Sequence, residues 1–409
     1  MLPLMLCFLR FSSLFFASFL FLSGATAREY QLAISAGEKP RLGAVASFSL
    51  PGDLDGHPVL LDSSGADVAL QQGADGKAFF FLPRLEQGET ATFVLKGDTE
   101  GEASPVTVET VPDNGRLKLS VEGVPVLYYQ AEKREFPRPG IDPIYARGGF
   151  IHPLLSPSGK VLTDSYPEDH VHHHGIWAPW TRTEFEERTP DFWNMAQGSG
   201  TVEFVEIDET WSGAVHGGFQ TRHQFVDLSA PEPVVALNET WTVKVYNGRD
   251  DERAYNIFDL TIVQETASSS PLTLPEYHYG GLGFRGNGDW VGNDNTFFLT
   301  SNGETDRVAG HATRADWCHI GGEVDGDLTG VAILGHPGNF RAPQPMRLHP
   351  NEPFFCYAPS QLGDWEITPE EPYVARYRFV TMDGPPDQNE LDQFWNAYAH
   401  PVEVKIEAR

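Results

Sequence analysis

Along most of the chain, hydrophobic and polar positions alternate with a period of two. Tyr30, Leu32 and Ile34 take every second position, as do Leu117, Leu119 and Val121, and later Trp241, Val243 and Val245. Near the end, Tyr373, Ala375, Tyr377 and Phe379 fall on one face and Arg376 and Arg378 on the other. Successive side chains of a strand point to opposite faces, so the pattern predicts strands with one buried and one wetter side. Asn114-Gly115 and Asn247-Gly248 are hairpin-turn dipeptides beside such runs. The 40 glycines and 31 prolines punctuate the chain as many short antiparallel strands require. One segment departs from this period. Leu391, Phe394, Trp395 and Tyr398 recur at helical spacing between a capping Asp387 and His400-Pro401, which predicts a single helix on the outside of a sheet. No repeat at a period of roughly 20–50 residues is visible, which disfavours propellers and solenoids.

The expected fold class is therefore all-β. Residues 28–100 read as a small immunoglobulin-like sandwich, and the polar, small-residue stretch from Gly97 to Pro105 marks a boundary near residues 98–108. Residues 108–409 read as one large antiparallel sandwich ending in the short helix. Residues 1–27 read as an export signal: one basic residue, Arg10, an apolar run from Phe11 to Leu22, then the small residues Ala25-Thr26-Ala27. A retained anchor is the alternative, and the run is short for a membrane span. No cysteine follows the run, against a bacterial lipid anchor, and no later stretch is apolar enough to cross a membrane. The expectation is an exported chain, periplasmic or secreted, of about 380 residues beginning near Arg28.

Loss of Arg10 with the signal takes the formal net charge from -28 to -29. Such acidity argues against nucleic acid and anionic membrane surfaces as partners and suits neutral or cationic solutes. Cys7 leaves with the signal, and Cys318 and Cys356 remain as either one disulfide or two buried thiols.

The chemistry concentrates in Asp169-His170-Val171-His172-His173-His174-Gly175-Ile176-Trp177-Ala178-Pro179-Trp180, which holds four of the 14 histidines. Histidine is the side chain most readily acid, base or metal ligand near neutral pH. On an extended strand His170, His172 and His174 would share a face and form a set for a divalent metal, with a last ligand from elsewhere. Without metal, one histidine would transfer protons with Asp169 fixing its tautomer. A hydrogen-bonded structural loop is the third reading. Trp177, Trp180 and Trp193, with Asn194, suit a sugar, whose C–H faces stack while its hydroxyls need fixed partners. Asp191, Glu184, Glu186 and Glu187 lie near enough in sequence for a carboxylate pair that cleaves glycosides.

Two further clusters stand out. In Glu276-Tyr277-His278-Tyr279-Gly280-Gly281-Leu282-Gly283-Phe284-Arg285, Glu276 would be the carboxylate partner of the histidines and Arg285 would hold an anion. In His336-Pro337-Gly338-Asn339-Phe340-Arg341, a polar turn follows an apolar strand, a common place for binding residues. No serine elbow or phosphate loop is present.

Together these clusters resemble a family labelled methane oxygenase PmoA, over roughly residues 125–400. Gly149-Phe150-Ile151-His152-Pro153-Leu154, Ser156-Pro157-Ser158-Gly159, the histidine segment, Asp191-Phe192-Trp193, Gly281-Leu282-Gly283-Phe284-Arg285 and His336-Pro337-Gly338-Asn339 carry the resemblance. It implies exported bacterial proteins with a large sandwich similar to galactose-mutarotase-like folds. Its pattern has arginine where this chain has His174, which leaves His170, His172 and His173 to act with Asp169. It places Arg285, His336 and Asn339 in contact with substrate.

The expected function is an exported carbohydrate-active protein, a hydrolase, lyase or epimerase working by histidine acid/base chemistry on a small sugar or oligosaccharide. In that reading His170, His172, His173, Asp169 and Arg285 are catalytic. Trp177, Trp180, Trp193, Asn194, Glu276, His336, Asn339 and Arg341 bind substrate, and no cofactor is required. The alternatives are a non-catalytic sugar-binding protein and a metal-dependent oxidoreductase with His170, His172 and His174 as ligands.

Overall fold

The structure is a computed structural model that describes residues 28–73, 75–98, 104–111, 115–248 and 254–409. The segment read as an export signal lies outside the described residues. The predicted alternation is realised directly: Tyr30–Ser35 buries Tyr30, Leu32 and Ile34 and exposes the residues between. That strand lies in a five-stranded sheet with Thr90–Asp98, His57–Leu61 and Asp67–Val68, opposite a three-stranded sheet of Arg41–Ser49, Lys77–Leu85 and Leu70–Gln72. Leu32, Ile34, Leu60, Phe80 and Leu95 fill the space between. The fifth strand of the first sheet is Val404–Ala408, paired antiparallel with Tyr30–Ser35. The sequence reading assigned these last residues to the large sandwich. Their weak alternation carries no label of its partner, and only the pairing decides it.

The large unit is built from two eight-stranded antiparallel sheets. One runs from the edge strand Val106–Val111 through Arg116–Val121, Val124–Gln130, Phe150–Leu154, Ile176–Trp177, Gly283–Arg285 and Phe354–Tyr357 to Met346–Leu348. The other holds the long strands Gly200–Trp211, His216–Asp227, Val234–Tyr246, Tyr255–Thr266 and Tyr373–Asp383, then Asp327–Gly335, Trp317–Val324 and Phe297–Thr300. Leu127, Ile151, Ile176 and Phe284 of the first interleave with Phe219, Trp241, Leu260 and Phe379 of the second in one continuous core. This is the expected all-β architecture. One turn differs: Asn247-Gly248 follows the strand Val234–Tyr246 but does not join it directly to the next strand, which begins at Tyr255.

The one α-helix among the described residues, Gln388–Ala399, starts where predicted, with the Asp387 carboxylate accepting from the Glu390 N–H at 3.1 Å. Its Leu391 and Phe394 pack with Leu42 and Phe81 of the small unit and Ile257 and Val380 of the large one. The helix thus seals the junction between the units. Gly43, at φ +63°, allows this: a Cβ there would come within 2.6 Å of Ile257 and 3.1 Å of Phe394. The same covering explains Arg378, which sits on the expected outer face yet is buried. It forks onto Asp259 at 2.7 and 2.9 Å and donates to the Gly43 carbonyl at 3.0 Å. Cys318 and Cys356 are both free and buried in different sheets, so the disulfide alternative falls.

Candidate functional site

The histidine segment enters beside the strand Gly283–Arg285. The Asp164 N–H donates to the Arg285 carbonyl and the Arg285 N–H to the Gly175 carbonyl, at 3.1 and 2.8 Å. Gly175 is required there, because a Cβ would lie 2.1 Å from the Ile151 carbonyl oxygen. Between these anchors the chain is not extended. The His173 N–H bonds back to the His170 carbonyl at 2.8 Å, closing a turn. The two-residue period of a strand therefore does not apply, and His170, His172 and His174 do not share a face. His174 packs against Phe150 and Tyr166, with ring centroids 4.7 and 4.5 Å away. The expected three-histidine metal set is not assembled.

The turn instead gathers His170, His172 and His173 at one cavity of about 270 Å³. The opposite side is supplied by His278, Tyr279, Arg347 and His349, with Trp193, Asn194 and Phe354 completing the lining. No carboxylate lines it. His173 stacks on Phe354 on one side and His170 on the other, both at 4.8 Å between centroids. Asn194 is held by donating to Asp191 at 2.6 Å and accepting from the Tyr279 hydroxyl at 3.1 Å. Burial pushes the Tyr279 phenol up to about 12.

Behind His170 lies a carboxylate pair. Asp169 Oδ2 is 3.0 Å from His170 Nδ1, while its Oδ1 is 3.3 Å from Arg285 Nη2. The same Arg285 nitrogen is 3.2 Å from Glu352 Oε2, and the two carboxyls hydrogen-bond each other. Two carboxyls that close cannot both ionise cheaply. Burial first, and then the bond to Asp169, raises Glu352 above the ordinary glutamate value. Burial also disfavours charge on Asp169. The hydrogen bonds from Glu352 and His170 and the Arg285 charge outweigh it and hold Asp169 well below the carboxylate range. The pair therefore divides its charge unevenly, with Asp169 the more acidic carboxyl and Glu352 the more readily protonated one. Burial, with His170 as neighbour, lowers His172 to about 4. Burial, with Arg347 beside it, does the same to His349. Burial takes His173 well below its usual value. At neutral pH His172, His173 and His349 are therefore uncharged, and the Arg347 guanidinium stands beside them.

Several expectations are corrected by this geometry. Arg285 is 0% exposed and faces Asp169 and Glu352 rather than the cavity, where Arg347 is the cation. Glu276 is exposed with its N–H on Asp364, and the carboxyl beside the histidines is Glu352. Trp177 is fully buried against Trp193, and Trp180 donates to Gln264 in the central core, so neither lines the cavity. Asn339 bonds the Arg376 backbone and Arg341 the carbonyls of Pro359, Gly363 and Asp364. His336 and Asn339 line a separate cavity of about 140 Å³. Asp191 is spent on the Trp193 and Asn194 N–H groups, and Glu186 on Arg188 and Ser270.

Sequence reasoning missed Arg347, His349 and Glu352. The available signal was a dense polar run, Arg347-Leu348-His349-Pro350-Asn351-Glu352, bounded by apolar strands. The His349 Nδ1 accepts from the Asn351 and Glu352 N–H groups at 3.3 and 3.0 Å, so the turn fixes its own histidine with the other nitrogen as the donor.

Among the described residues, Asp169, His170 and Glu352 form a group able to hold a metal, with ligand atoms within 4.8 Å of one another. The donor set suits a hard or borderline divalent ion, although Arg285 already contacts one oxygen of each carboxyl. No helix among the described residues is long and apolar enough to cross a membrane.

No curated protein matches the chain. Among solved structures it is similar to a glycosyl hydrolase family 38 protein from Enterococcus faecalis, at 12% identity and a TM-score of 0.44, over 94% of this chain and 47% of that one. It is also similar to an alpha-mannosidase from Enterococcus faecalis V583, at 12% identity and a TM-score of 0.47, over 93% and 46%. The chain spans about half the length of these proteins. A family model matches residues 116–396, which contain every residue of the cavity, and the chain belongs to that family, DUF6807, a family of unknown function.

Proposed function

We propose that the chain is an enzyme that moves a proton on a small polar substrate, a sugar being the class that fits best, as a lyase or epimerase. The observation that carries this is the arrangement Glu352–Asp169–His170. The Asp169 carboxylate, 3.0 Å from His170 Nδ1, favours the proton on that nitrogen and leaves the other ring nitrogen of His170, a residue of the cavity lining, as the base. When His170 takes a proton from a substrate C–H beside a carbonyl or carboxylate, the Asp169 charge stabilises the imidazolium. Arg347 stabilises the negative charge that develops on substrate oxygen, and a second group of the lining returns the proton.

The cavity sits near the lower end of the roughly 300–1,000 Å³ usual for small-molecule sites, in keeping with a monosaccharide-sized ligand. Asn194, Tyr279 and the imidazoles offer fixed partners for hydroxyls. Direct two-carboxylate glycoside cleavage fits poorly. That chemistry needs acids about 5–9.5 Å apart facing the substrate, whereas Asp169 and Glu352 bond each other behind His170.

The test is to incubate the protein with a panel of aldoses, ketoses and uronates in heavy water and follow deuterium entry by NMR. Exchange in the native chain that disappears in His170→Ala supports the reading. Exchange that survives in His170→Ala, or none with any sugar, would sink it. A non-catalytic sugar binder would show saturable binding and no exchange. The Asp169–His170–Glu352 group supports a second reading, a divalent-metal site. Metal analysis of untagged protein beside His170→Ala decides that reading.

A further inference from the structure

A second cavity, of about 290 Å³, opens on the other side of the histidine segment. Residues 170, 172 and 173 line the first cavity, while the His174 ring packs on Phe150 and Tyr166, which line the second. Its charged lining is Arg116, Arg134 and Arg147 against one acid, Glu135, with His152 between. This is unusual in a chain of net charge -28.

Arg147 is only 2% exposed, and its Nε and Nη1 have no hydrogen-bond acceptor. A buried guanidinium without acceptors is costly, by the full desolvation of its N–H groups. The neighbours compound this. Burial and the Arg116 charge both lower Arg134, and burial and Arg116 hold His152 down to about 4. Buried Glu239 attracts Arg147 through space, but its own oxygens are taken by His223 and Gln264, at 2.7 Å each. Cations crowd here, and the protein supplies no acceptor to two of the Arg147 nitrogens, Nε and Nη1.

We infer that this cavity binds the carboxylate of a small organic acid, with Arg147 as the buried anchor and Arg116 and Arg134 at the rim. A carboxylate oxygen accepts charge-assisted hydrogen bonds from guanidinium N–H groups, and its charge offsets the crowded cations. The single acid in the lining, Glu135, disfavours a doubly charged phosphate more than a singly charged carboxylate.

The experiment is isothermal titration of the full chain with acetate, benzoate and inorganic phosphate in separate runs. One-to-one binding of at least one carboxylate is expected. It should weaken at least tenfold in Arg147→Met and about threefold in Arg134→Ala, and stay unchanged in Arg347→Gln, which alters the other cavity. Arg134 is exposed, so its variant keeps the test open if Arg147→Met fails to fold. The inference is overturned if neither carboxylate binds, if phosphate alone binds, or if Arg134→Ala and every folded Arg147 variant bind as tightly as the native chain.

Discussion

Among the described residues, His223–Glu239 and His170–Asp169 each join a histidine to a carboxylate, and they behave as opposites. In the core of the large sandwich, His223 Nδ1 meets Glu239 at 2.7 Å and its Nε2 meets the Tyr129 hydroxyl at 2.6 Å. The other Glu239 oxygen takes the Gln264 amide at 2.7 Å, and Gln264 in turn accepts from Trp180 at 2.6 Å. Each polar atom of that chain is matched by another within the protein, and His223 and Glu239 are no more than 2% exposed. At Asp169–His170 the carboxylate meets Arg285 and Glu352, but several polar atoms of the group lack a hydrogen-bond partner and His170 lines a cavity. The same residue types give structure where every hydrogen-bonding group is satisfied internally, and a candidate site where one is left over.

The sharpest way to break this contrast is Glu239→Ala. It leaves His223 and Gln264 without their acceptor in a dry core, and a loss of roughly 3–5 kcal/mol in urea unfolding is expected. A loss below about 1 kcal/mol would remove the distinction between the two regions. Next, Arg285→Met takes away the cation that bridges Asp169 and Glu352. A loss of roughly 2–4 kcal/mol is expected at pH 7, shrinking at pH 4, where protonation lessens the carboxylate charge left alone.

His170→Ala should separate function from stability. Unfolding free energy should stay within about 1 kcal/mol of native, while deuterium exchange into substrate falls at least ~100-fold. A pH series sharpens the site further. His172 and His349 are held at about 4 in the folded chain, below the ordinary histidine value. Their contribution is therefore present above about pH 6.5 and is lost as pH falls through about 4. The melting temperature should drop by roughly 4–8 °C between pH 7 and pH 4.5, and the drop should be smaller in a His172→Asn, His349→Asn double variant. The smallest effect belongs to His336→Ala, within about 0.5 kcal/mol and without change in exchange, since His336 lines a different cavity.

The fold was largely legible because strand and helix periods are local. Leu32, Trp241, Tyr377 and Leu391 are buried where alternation or helical spacing put them. The site was half legible. The segment dense in histidines forms part of the wall of the cavity described above, and Trp193 and Asn194 line that cavity too. Trp180, Glu276, Asn339 and Arg341 were chemically plausible but are occupied elsewhere, which no local pattern records. Arg378 makes the same point in the core: its face was readable, and its burial followed from the covering helix and small unit.

By itself, the sequence determined an all-β chain with a single C-terminal helix and one segment dense in imidazoles. Period and composition are properties of neighbours along the chain. The tertiary structure alone decided that Glu352 and Arg285 stand behind Asp169, that Arg347 and His349 face His170, and that His174 turns to a second cavity. It also decided that the last strand closes the first sheet. Those relations depend on sheet pairing between distant segments and on which hydrogen-bonding groups the packed chain leaves unmatched, and neither is encoded in any one stretch of sequence.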